Sequence, residues 1–355
     1  MTVQAQSGSK LKANDRVAVP ADRIVDLATR MFVASGCDGD VAHTVACHLA
    51  EADHCGVESH GLVRVLQYTR EFRDGALDPS ARPVIHSEAP NRLKIDAGGG
   101  IGIPAMALAL REAAKAARAE GLAVASVIGA GHTGRLGAFA EEAAREGCMT
   151  ITLGGGNRQT WRMVAPHGGR QALLPTNPYC IGIPGGYRGP VVLDIATSQI
   201  AGGWIYAARA AGINLPDGAV VDRDGMPTRK PADYFNGGAI LPKGGPLGSG
   251  LALIAELVGE AMLGPVEKGE INWLVLALDC GQFRGPGTMQ RAAEEILTEI
   301  RDCPPAQGVD RVMVPGERER DQMAGGDRTH LRLPEPIWQQ ILDMARDMGL
   351  EEKMT

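Results

Sequence analysis

The sequence predicts an α/β fold in two parts, a small helical domain followed by a larger domain in which strands and helices alternate. Residues 19–80 carry apolar side chains at helical spacing. Beyond residue 90, short β-like runs alternate with Ala-rich helical stretches and glycine-rich turns. A chain of 355 residues is long enough for two such domains.

Composition excludes several classes of function. With 4% aromatic residues and a net charge of −6, the chain offers neither stacking platforms nor a basic field, so no nucleic-acid partner is expected. No run of about 18 apolar residues occurs, and the N-terminus has no apolar segment, so neither a membrane anchor nor a secretory signal is expected. Seven scattered cysteines without a CxxC pair are typical of a reduced chain, which predicts a cytoplasmic location.

Three helices are predicted in the first domain. Pro20 opens the first, and the second ends near His54. The third is predicted to be capped by Ser59 and to end at Gly75. Residues 1–18 are polar and mixed in charge, and they are predicted to be a flexible leader.

The rest of the chain is predicted to alternate between the two kinds of element. Strands are predicted at Arg92–Ala97, Leu122–Ile128, Met149–Leu153, Cys180–Ile183, Val191–Ile195, Ile271–Leu278 and Val309–Val314. Helices are predicted at Ala105–Glu120, Glu141–Gly147, Leu251–Leu263, Ala292–Arg301 and Pro336–Met348. The segment Asn214–Asn236, rich in Gly, Pro and Asp, is predicted to be a loop.

The segment Glu58-Ser59-His60-Gly61-Leu62-Val63-Arg64 is the first candidate for chemistry. On a helix that starts at Ser59, His60 and Arg64 would share one face. The Arg64 guanidinium can bind a carboxylate, and His60 can exchange a proton near neutral pH. A capped surface helix would use the same residues, so the spacing alone leaves both interpretations open.

Glycine-rich turns supply the other candidates. The loop Gly129–Arg135, with His132 inside it, is either a ligand-binding turn or a plain strand-to-helix connection. The run Gly100-Ile101-Gly102-Ile103-Pro104-Ala105 matches a dinucleotide fingerprint, but no acid occurs in residues 121–140, so a Rossmann site is not favoured. The loop Lys243–Gly250 before a helix is either an anion cradle or a packing turn.

A metal site is not predicted. His43 and Cys47 are one helical turn apart, but His54 would lie roughly 16 Å from His43 along the helix, so one ion cannot bind all three. Neither a GxSxG nor an HExxH motif occurs. A metal-dependent hydrolase is therefore the weakest of the enzymatic interpretations.

The motifs together resemble those of the type 2 malate/L-lactate dehydrogenase family, which includes sulfolactate and ureidoglycolate dehydrogenases and Δ1-piperideine-2-carboxylate reductase. The resemblance runs from about residue 20 to residue 320, with the motifs in the family's order. The matching segments are Ala52-Asp53, Gly56–Gly61 with Arg64, His132 and Gly134, Ala165–Gly169, Thr176-Asn177-Pro178, Leu193–Ser198, Gly244-Gly245, Gly248, Gly250–Leu253 and Pro315–Arg318.

The resemblance implies an α/β fold that is not a Rossmann fold. A small helical domain at residues 19–85 would be joined by C-terminal helices at about 318–350. A larger cofactor-binding domain at residues 86–317 would be built on a mostly antiparallel sheet and would bind NAD or NADP. The resemblance also implies a homodimer with its active sites near the domain interface.

The resemblance further implies the roles of individual residues. His60 would be the proton donor or acceptor, oriented by Ser59. Arg64 and Thr176 would hold the substrate carboxylate, and His132 would face the substrate as well as the cofactor. The cofactor would be contacted by His132, Thr133, Gly134, Arg135, Leu136, Asp194, Ile195, Ala196, Pro315, Gly316 and Glu317. We therefore expect an NAD(P)-dependent oxidoreductase that transfers hydride to or from a small 2-oxo or 2-hydroxy carboxylate.

Departures from the family pattern leave alternatives open. Gly202-Gly203-Trp204 stands where the family commonly has Arg-Gly-Lys, or an Asp in the last place in imine reductases. Pro246 and Leu247 stand where the family has His and Lys. Trp204 would either stack on a flat substrate or on the nicotinamide, or fill a core. A reductase of a cyclic 2-imino carboxylate and a homologue that binds a ligand without turnover are the alternative functions.

Overall fold

The computed structural model describes residues 15–156, 158–210, 212–267 and 269–350. The strands are β1 (Arg16–Pro20), β2 (Val84–Ala89), β3 (Arg92–Asp96), β4 (Leu122–Ala130), β5 (Cys148–Gly155), β6 (Tyr179–Gly186), β7 (Gly189–Ile195), β8 (Val220–Val221), β9 (Pro227–Thr228), β10 (Ala239–Ile240), β11 (Ile271–Asp279) and β12 (His330–Pro334). The helices are α1 (Ala21–Ala34), α2 (Gly39–His54), α3 (Val63–Arg73), α4 (Gly102–Glu120), α5 (Leu136–Arg145), α6 (Gly202–Ala210), α7 (Pro231–Phe235), α8 (Pro246–Glu256), α9 (Pro286–Arg301), α10 (Glu317–Gly325) and α11 (Glu335–Asp347). None of these helices combines the length and the apolar character that a membrane span requires.

The chain divides into two compact units, which are described separately. The first contains the residues up to Gly75 and those from Glu319 onward, and the second is Ala76–Arg318. In the first unit, α1 packs on α2, and α3 packs on α11. Of the stripe that the spacing predicts on α1, Ile24, Leu27 and Met31 are buried, Ala34 is exposed, and Phe32 is buried beside them.

The two ends of the described chain meet in the first unit. Strand β1 pairs antiparallel with β12, so that Val19 lies opposite Leu331. Both side chains are buried, which is why these alternating sequences pair. Residues 16–18, assigned above to a flexible leader, are therefore part of a strand, and residues 1–14 lie outside the described residues.

A seven-stranded sheet forms the centre of the second unit, in the order β2-β3-β4-β11-β5-β6-β7. Strands β3 and β4 are parallel and are joined by α4, whereas the other neighbouring pairs are antiparallel. Helix α4 packs on β4 and β11, and α5 packs on β6 and β7. The predicted α/β class is confirmed, with a mixed sheet and helices packed on it.

A small sheet of order β10-β8-β9 lies beside a separate apolar cluster in the same unit. The cluster contains Val164, Leu174, Ile205, Leu215, Val220 and Ile240. The segment Asn214–Asn236, predicted to be a loop, holds β8, β9 and α7. Two-residue strands are too short to give a periodic pattern, so the sequence signal was only that of the turns between them.

Two further predictions differ from the structure, and helix α6 has no counterpart among the predictions. Val309–Val314 is not a strand: Val309 and Met313 are exposed and the segment has no strand partner among the described residues. The predicted helix Leu251–Leu263 changes at Leu257 into a π-helical turn that ends at Met262. Helix α6 was not predicted, because it begins with two glycines, which are poor helix formers.

Candidate active site

Ser59 and His60 lie in a single 3₁₀ turn, Glu58–His60, between α2 and α3. Ser59 Oγ lies 2.9 Å from His60 Nδ1. Because α3 begins only at Val63, His60 and Arg64 do not share a helical face, and the predicted helix start at Ser59 is wrong. The contact through Nδ1 fixes the orientation of the imidazole and directs Nε2 away from Ser59.

A carboxylate from α2 holds this turn in place. Asp53 Oδ2 accepts a hydrogen bond from Leu62 N at 2.7 Å. A Cβ atom at Gly61 would collide with the same carboxylate, so only glycine fits there. Burial raises the pKa of Asp53 to about 8, while the hydrogen bond from Leu62 opposes this rise.

An ion pair holds the other end of the turn. Arg16 Nη2 lies 2.9 Å from Glu58 Oε1, and both side chains are only 16% exposed. Glu58 contributes to the raised pKa of Asp53, and Arg16 acts against it. The turn that carries His60 is therefore fixed by one carboxylate from α2 and by one guanidinium from β1.

The Arg64 guanidinium is held against the same turn. Its Nε donates to Ser59 O at 2.7 Å, and Nη1 donates to Gln67 Oε1. Gln67 in turn donates to Glu71 Oε1 at 2.8 Å. Burial lowers the pKa of Arg64 and raises that of Glu71. Within the described residues, Nη2 of Arg64 makes no hydrogen bond, so it is the nitrogen that can meet an incoming carboxylate.

In the second unit, the loop around His132 packs on the glycine turn that resembles a dinucleotide fingerprint. Gly102 N donates to His132 O at 3.1 Å, and Gly131 N donates to Gly100 O at 2.8 Å. A Cβ atom at Gly102 would collide with Gly131 O and with the Thr133 methyl group. These glycines therefore serve close packing within the chain.

Three segments predicted to contact the cofactor meet at the edge strand β7. Gly137 N, in the first turn of α5, donates to Asp194 Oδ2 at 2.8 Å. Val192 N donates to Pro315 O at 3.2 Å. Strand β7 at the edge of the sheet therefore contacts both the start of α5, which follows residues 132–136, and the turn at Pro315.

These residues differ in exposure. The exposed or partly exposed ones are His132, Asp194, Ile195, Ala196, Pro315 and Gly316, and the buried ones are Thr133, Gly134, Arg135, Leu136 and Glu317. Glu317 is used within the chain, because Arg301 Nε lies 2.6 Å from its Oε1 and Val314 N donates to its Oε2 at 3.1 Å. Its carboxylate therefore stabilises the 314–317 turn.

Thr176 lies where several of the sequence motifs converge. Thr197 donates to Thr176 O through both its backbone N, at 3.0 Å, and its Oγ1, at 2.9 Å. Thr197 O in turn accepts from Lys243 N at 2.8 Å, and a Cβ atom at Gly248 would collide with Thr197 O. His167 N donates to Ser249 Oγ at 3.0 Å, which brings a further motif to the glycine-rich loop.

The residues that depart from the family pattern lie in the first turns of two helices, α6 and α8. Trp204 is partly buried in the first turn of α6, where its N donates to Ala201 O at 3.0 Å. Pro246 and Leu247 are exposed in the first turn of α8. Neither position supplies a cation or an imidazole.

The sequence interpretation missed the roles of two acids, Asp53 and Glu256. Asp53 belongs to the Ala52-Asp53 motif, for which no role is predicted, and Glu256 lies within the predicted helix Leu251–Leu263. Glu256 is buried and accepts hydrogen bonds from Gly156 N and from the Asn177 amide. Glu256 stands in a largely apolar helical stretch, which was the available signal for it, whereas Asp53 follows Glu51 in a mixed helix and gave no such signal.

Comparisons with known proteins agree with the motifs. Residues 19–342 match the malate/L-lactate dehydrogenase family. The Δ1-pyrroline-2-carboxylate/Δ1-piperideine-2-carboxylate reductase of Pseudomonas syringae pv. tomato is 33% identical over 309 residues, which are 83% of this chain and 87% of that protein. The L-sulfolactate dehydrogenase of Methanocaldococcus jannaschii is 33% identical over 312 residues, which are 84% of this chain and 88% of that protein.

A solved structure shows the same likeness. The sulfolactate dehydrogenase of Methanocaldococcus jannaschii superimposes with a TM-score of 0.83 at 29% identity, and the match covers 95% of this chain and 99% of that one. The resemblance predicted from the motifs is confirmed. The chain belongs to the malate/L-lactate dehydrogenase family and is an enzyme of the dehydrogenase and reductase class.

Proposed function

We propose that the protein is an NAD(P)-dependent oxidoreductase that interconverts a small 2-oxo carboxylate and its 2-hydroxy counterpart. The observation that carries this proposal is the turn in which His60 is held by Ser59 while Arg64 is anchored to the Ser59 carbonyl. The turn and the first residues of α3 thus present a proton-exchanging group and a cation for a carboxylate. Membership of the dehydrogenase family supports the redox class.

His60 is proposed as the proton donor and acceptor. Addition of hydride to a carbonyl carbon leaves negative charge on the oxygen, which an acid must neutralise. With Nδ1 occupied by Ser59 Oγ, the exchange is assigned to Nε2. In the oxidation direction, the same nitrogen takes the hydroxyl proton.

Arg64 and Thr176 are proposed to bind the substrate carboxylate. Nε and Nη1 of Arg64 are engaged by Ser59 and Gln67, so the guanidinium is already oriented before substrate arrives. The Thr176 carbonyl is fixed by both donors of Thr197, which leaves its hydroxyl to act as the second donor to the carboxylate.

The edge of the sheet at β7 is proposed to hold the nicotinamide cofactor. Asp194 is exposed, and its carboxylate suits the hydroxyls of a ribose, which are hydrogen-bond donors. His132, Ile195, Ala196, Pro315 and Gly316 are assigned to the same surface. The buried residues are proposed to support this surface from below; they are Thr133, Gly134, Arg135, Leu136 and Glu317. When bound, the cofactor supplies the hydride.

A reductase of a cyclic 2-imino carboxylate is the second candidate. One observation favours it: a reductase of this kind is 33% identical to the chain. Trp204 replaces both the Lys of hydroxy-acid enzymes and the Asp of imine reductases, so this position does not distinguish the two chemistries. His60 would then exchange a proton at nitrogen instead of oxygen. The carboxylate contacts would be the same.

Cofactor binding and turnover test the proposal in one series. NADH or NADPH at 100 times its Kd is expected to stabilise the fold by about 2.7 kcal/mol, measured as a rise in Tm. Absorbance at 340 nm should then fall with pyruvate, oxaloacetate or Δ1-piperideine-2-carboxylate. Preference for the last compound would select the imine chemistry. If NADH or NADPH stabilises the protein but none of the three compounds is turned over, the proposal is contradicted and a ligand-binding homologue is favoured.

A further inference from the structure

The segment that carries Thr176 contains a strained and buried residue. Asn177 has φ +34°, and among the described residues it is the only non-glycine with a positive φ. Its side chain is 1% exposed. A conformation of this kind persists only where the surroundings impose it, so some group must hold Asn177 in place.

Two acceptors hold Asn177: its Nδ2 lies 3.5 Å from Gly154 O in β5, and the shorter hydrogen bond goes to Glu256. Asn177 Nδ2 donates to Glu256 Oε1 at 2.6 Å. The same oxygen accepts from Gly156 N at 3.1 Å, at the end of β5. Glu256 is only 5% exposed, so both hydrogen bonds are formed away from water. The carboxyl group therefore ties the segment of Thr176 to the central sheet.

The backbone around Glu256 leaves this carboxyl group little room to move. A Cβ atom at Gly155 would collide with the Ala255 carbonyl, and one at Gly259 would collide with Gly155 O. Helix α8 and its π-helical turn thus lie directly against β5. Glu256 is the last residue of α8, at the point where the π-helical turn begins, and such turns often occur at functional sites.

The contacts of Glu256 are hydrogen bonds and not ion pairs. Its Oε2 is buried without a hydrogen-bond partner, as is Asn177 Oδ1. No Arg, Lys or His among the described residues forms an ion pair with Glu256. A buried carboxyl group without a cation stabilises its surroundings through hydrogen-bond geometry, because an isolated buried charge is costly.

We propose that Glu256 is a positioning residue for substrate binding, which holds Asn177 and thereby fixes the neighbouring Thr176 for the substrate carboxylate. It acts through hydrogen bonds, so a primary amide can replace it. This inference rests on the proposed role of Thr176 and adds a residue that does not touch the substrate.

Substitutions of Glu256 and of Glu260 test the inference as a matched pair. Glu260 lies one helical turn further on and forms a partly exposed ion pair with Arg158 at 2.9 Å. Glu256→Ala is expected to raise the KM for the 2-oxo carboxylate about 10-fold, with a smaller change in kcat and an unchanged Kd for NADH. Glu256→Gln should restore KM to within about 3-fold of the parent, and Glu260→Ala should resemble the parent.

A binding measurement removes the dependence on turnover. Oxamate mimics a 2-oxo carboxylate but is not reduced, and its Kd in the presence of NADH should rise by the same factor in Glu256→Ala. Asn177→Gly provides a second variant, because glycine accepts the positive φ but lacks the amide, and it should weaken oxamate binding equally. In the double variant the two effects should not add.

Two results would overturn the inference. One is an unchanged KM and oxamate Kd in Glu256→Ala and Asn177→Gly. The other is a Gln variant as impaired as the Ala variant, since this would show that the charge is needed. Thr176→Val separates the two proposals: if it weakens oxamate binding while Glu256→Ala does not, Glu256 is not a positioning residue but the proposed function stands. A parent protein that turns over none of the substrates contradicts the proposed function itself.

Discussion

The two segments proposed to bind the substrate are each held by one carboxyl group, but the carboxyl groups bind different partners. In the first unit, Asp53 accepts a hydrogen bond from the backbone of Leu62 and fills the space over Gly61. In the second unit, Glu256 accepts from the side-chain amide of Asn177. Because Asp53 binds a backbone N–H, the residue at position 62 can vary, but position 61 must be glycine, since a Cβ atom there would collide with the carboxylate. A side-chain contact requires one particular residue type.

The two carboxyl groups also differ in their electrostatic surroundings. Asp53 lies within the influence of Glu58 and Arg16, and burial raises its pKa to about 8. Glu256 has no ion-pair partner among the described residues. The stability contributed by the Asp53 contact at the turn of His60 is therefore expected to depend on pH. The position of the segment of Thr176 is expected to depend on the hydrogen bond between Asn177 and Glu256. The following substitutions test this contrast.

Gly61→Ala is expected to have the largest effect. The new methyl group would collide with the Asp53 carboxylate, so either α2 or the turn must shift, at a cost of about 3 kcal/mol in the free energy of unfolding. Turnover should fall with it, because His60 precedes this position. Gly39→Ala is the control, since a Cβ there meets nothing within 4 Å. Equal stability of the two variants in urea unfolding would contradict the close fit of Asp53 to Gly61.

Asp53→Asn is expected to change how stability depends on pH. The pKa of Asp53 is about 8 in the folded protein against an ordinary value of 3.8, so between these values the folded state keeps a proton that the unfolded state has lost. The stability of the parent should therefore fall as pH rises from about 4 to about 8. Asn mimics the protonated acid and should remove this contribution, so the variant should gain stability relative to the parent as pH rises.

Asp26→Asn is the control for that experiment, because Asp26 is exposed and forms an ion pair with Arg30 on the same helix. It should leave the pH dependence unchanged. Denaturant unfolding at pH 4.5, 6.5 and 8.5 measures all three proteins. A constant difference between Asp53→Asn and the parent across this range would contradict a buried, protonated Asp53.

Glu58→Gln is expected to have the smallest effect. Its ion pair with Arg16 is partly exposed, and such pairs contribute up to about 1 kcal/mol. Because Glu58 helps to raise the pKa of Asp53, its removal should move the pH-dependent loss of stability to lower pH. The same unfolding series measures the shift. A loss of several kcal/mol would show that the ion pair stabilises the turn far more than its partial exposure implies.

Long periodic elements could be predicted from sequence because their own patterns determine them. Strand β11 and helices α1 and α2 lie within a few residues of their predicted positions. The start of α3 could not be predicted, because Asp53 holds Leu62 and the turn before the helix through a contact nine residues away. The pairing of β1 with β12 joins opposite ends of the described chain, so it is invisible to any local pattern.

The candidate site shows the same division. Motif order identified the family and indicated His60, Arg64 and Thr176 as candidates, because these residue types can carry the proposed chemistry. The carboxyl groups that hold the segments of His60 and Thr176 could not be predicted, because most acids in helices are exposed and the sequence does not show which ones are buried. Asp53 and Glu256 become conspicuous only when their hydrogen-bond partners are seen.

His60→Asn tests the central claim most directly. Asn retains a polar group but has no titrating nitrogen, so proton exchange is lost while the turn is preserved. We predict that kcat for NADH-dependent reduction of the best 2-oxo or 2-imino carboxylate falls about 100-fold or more, while the Kd for NADH stays within about 2-fold. A variant that keeps its kcat, or that loses NADH binding in the same proportion, would contradict the assignment of His60 as the proton donor.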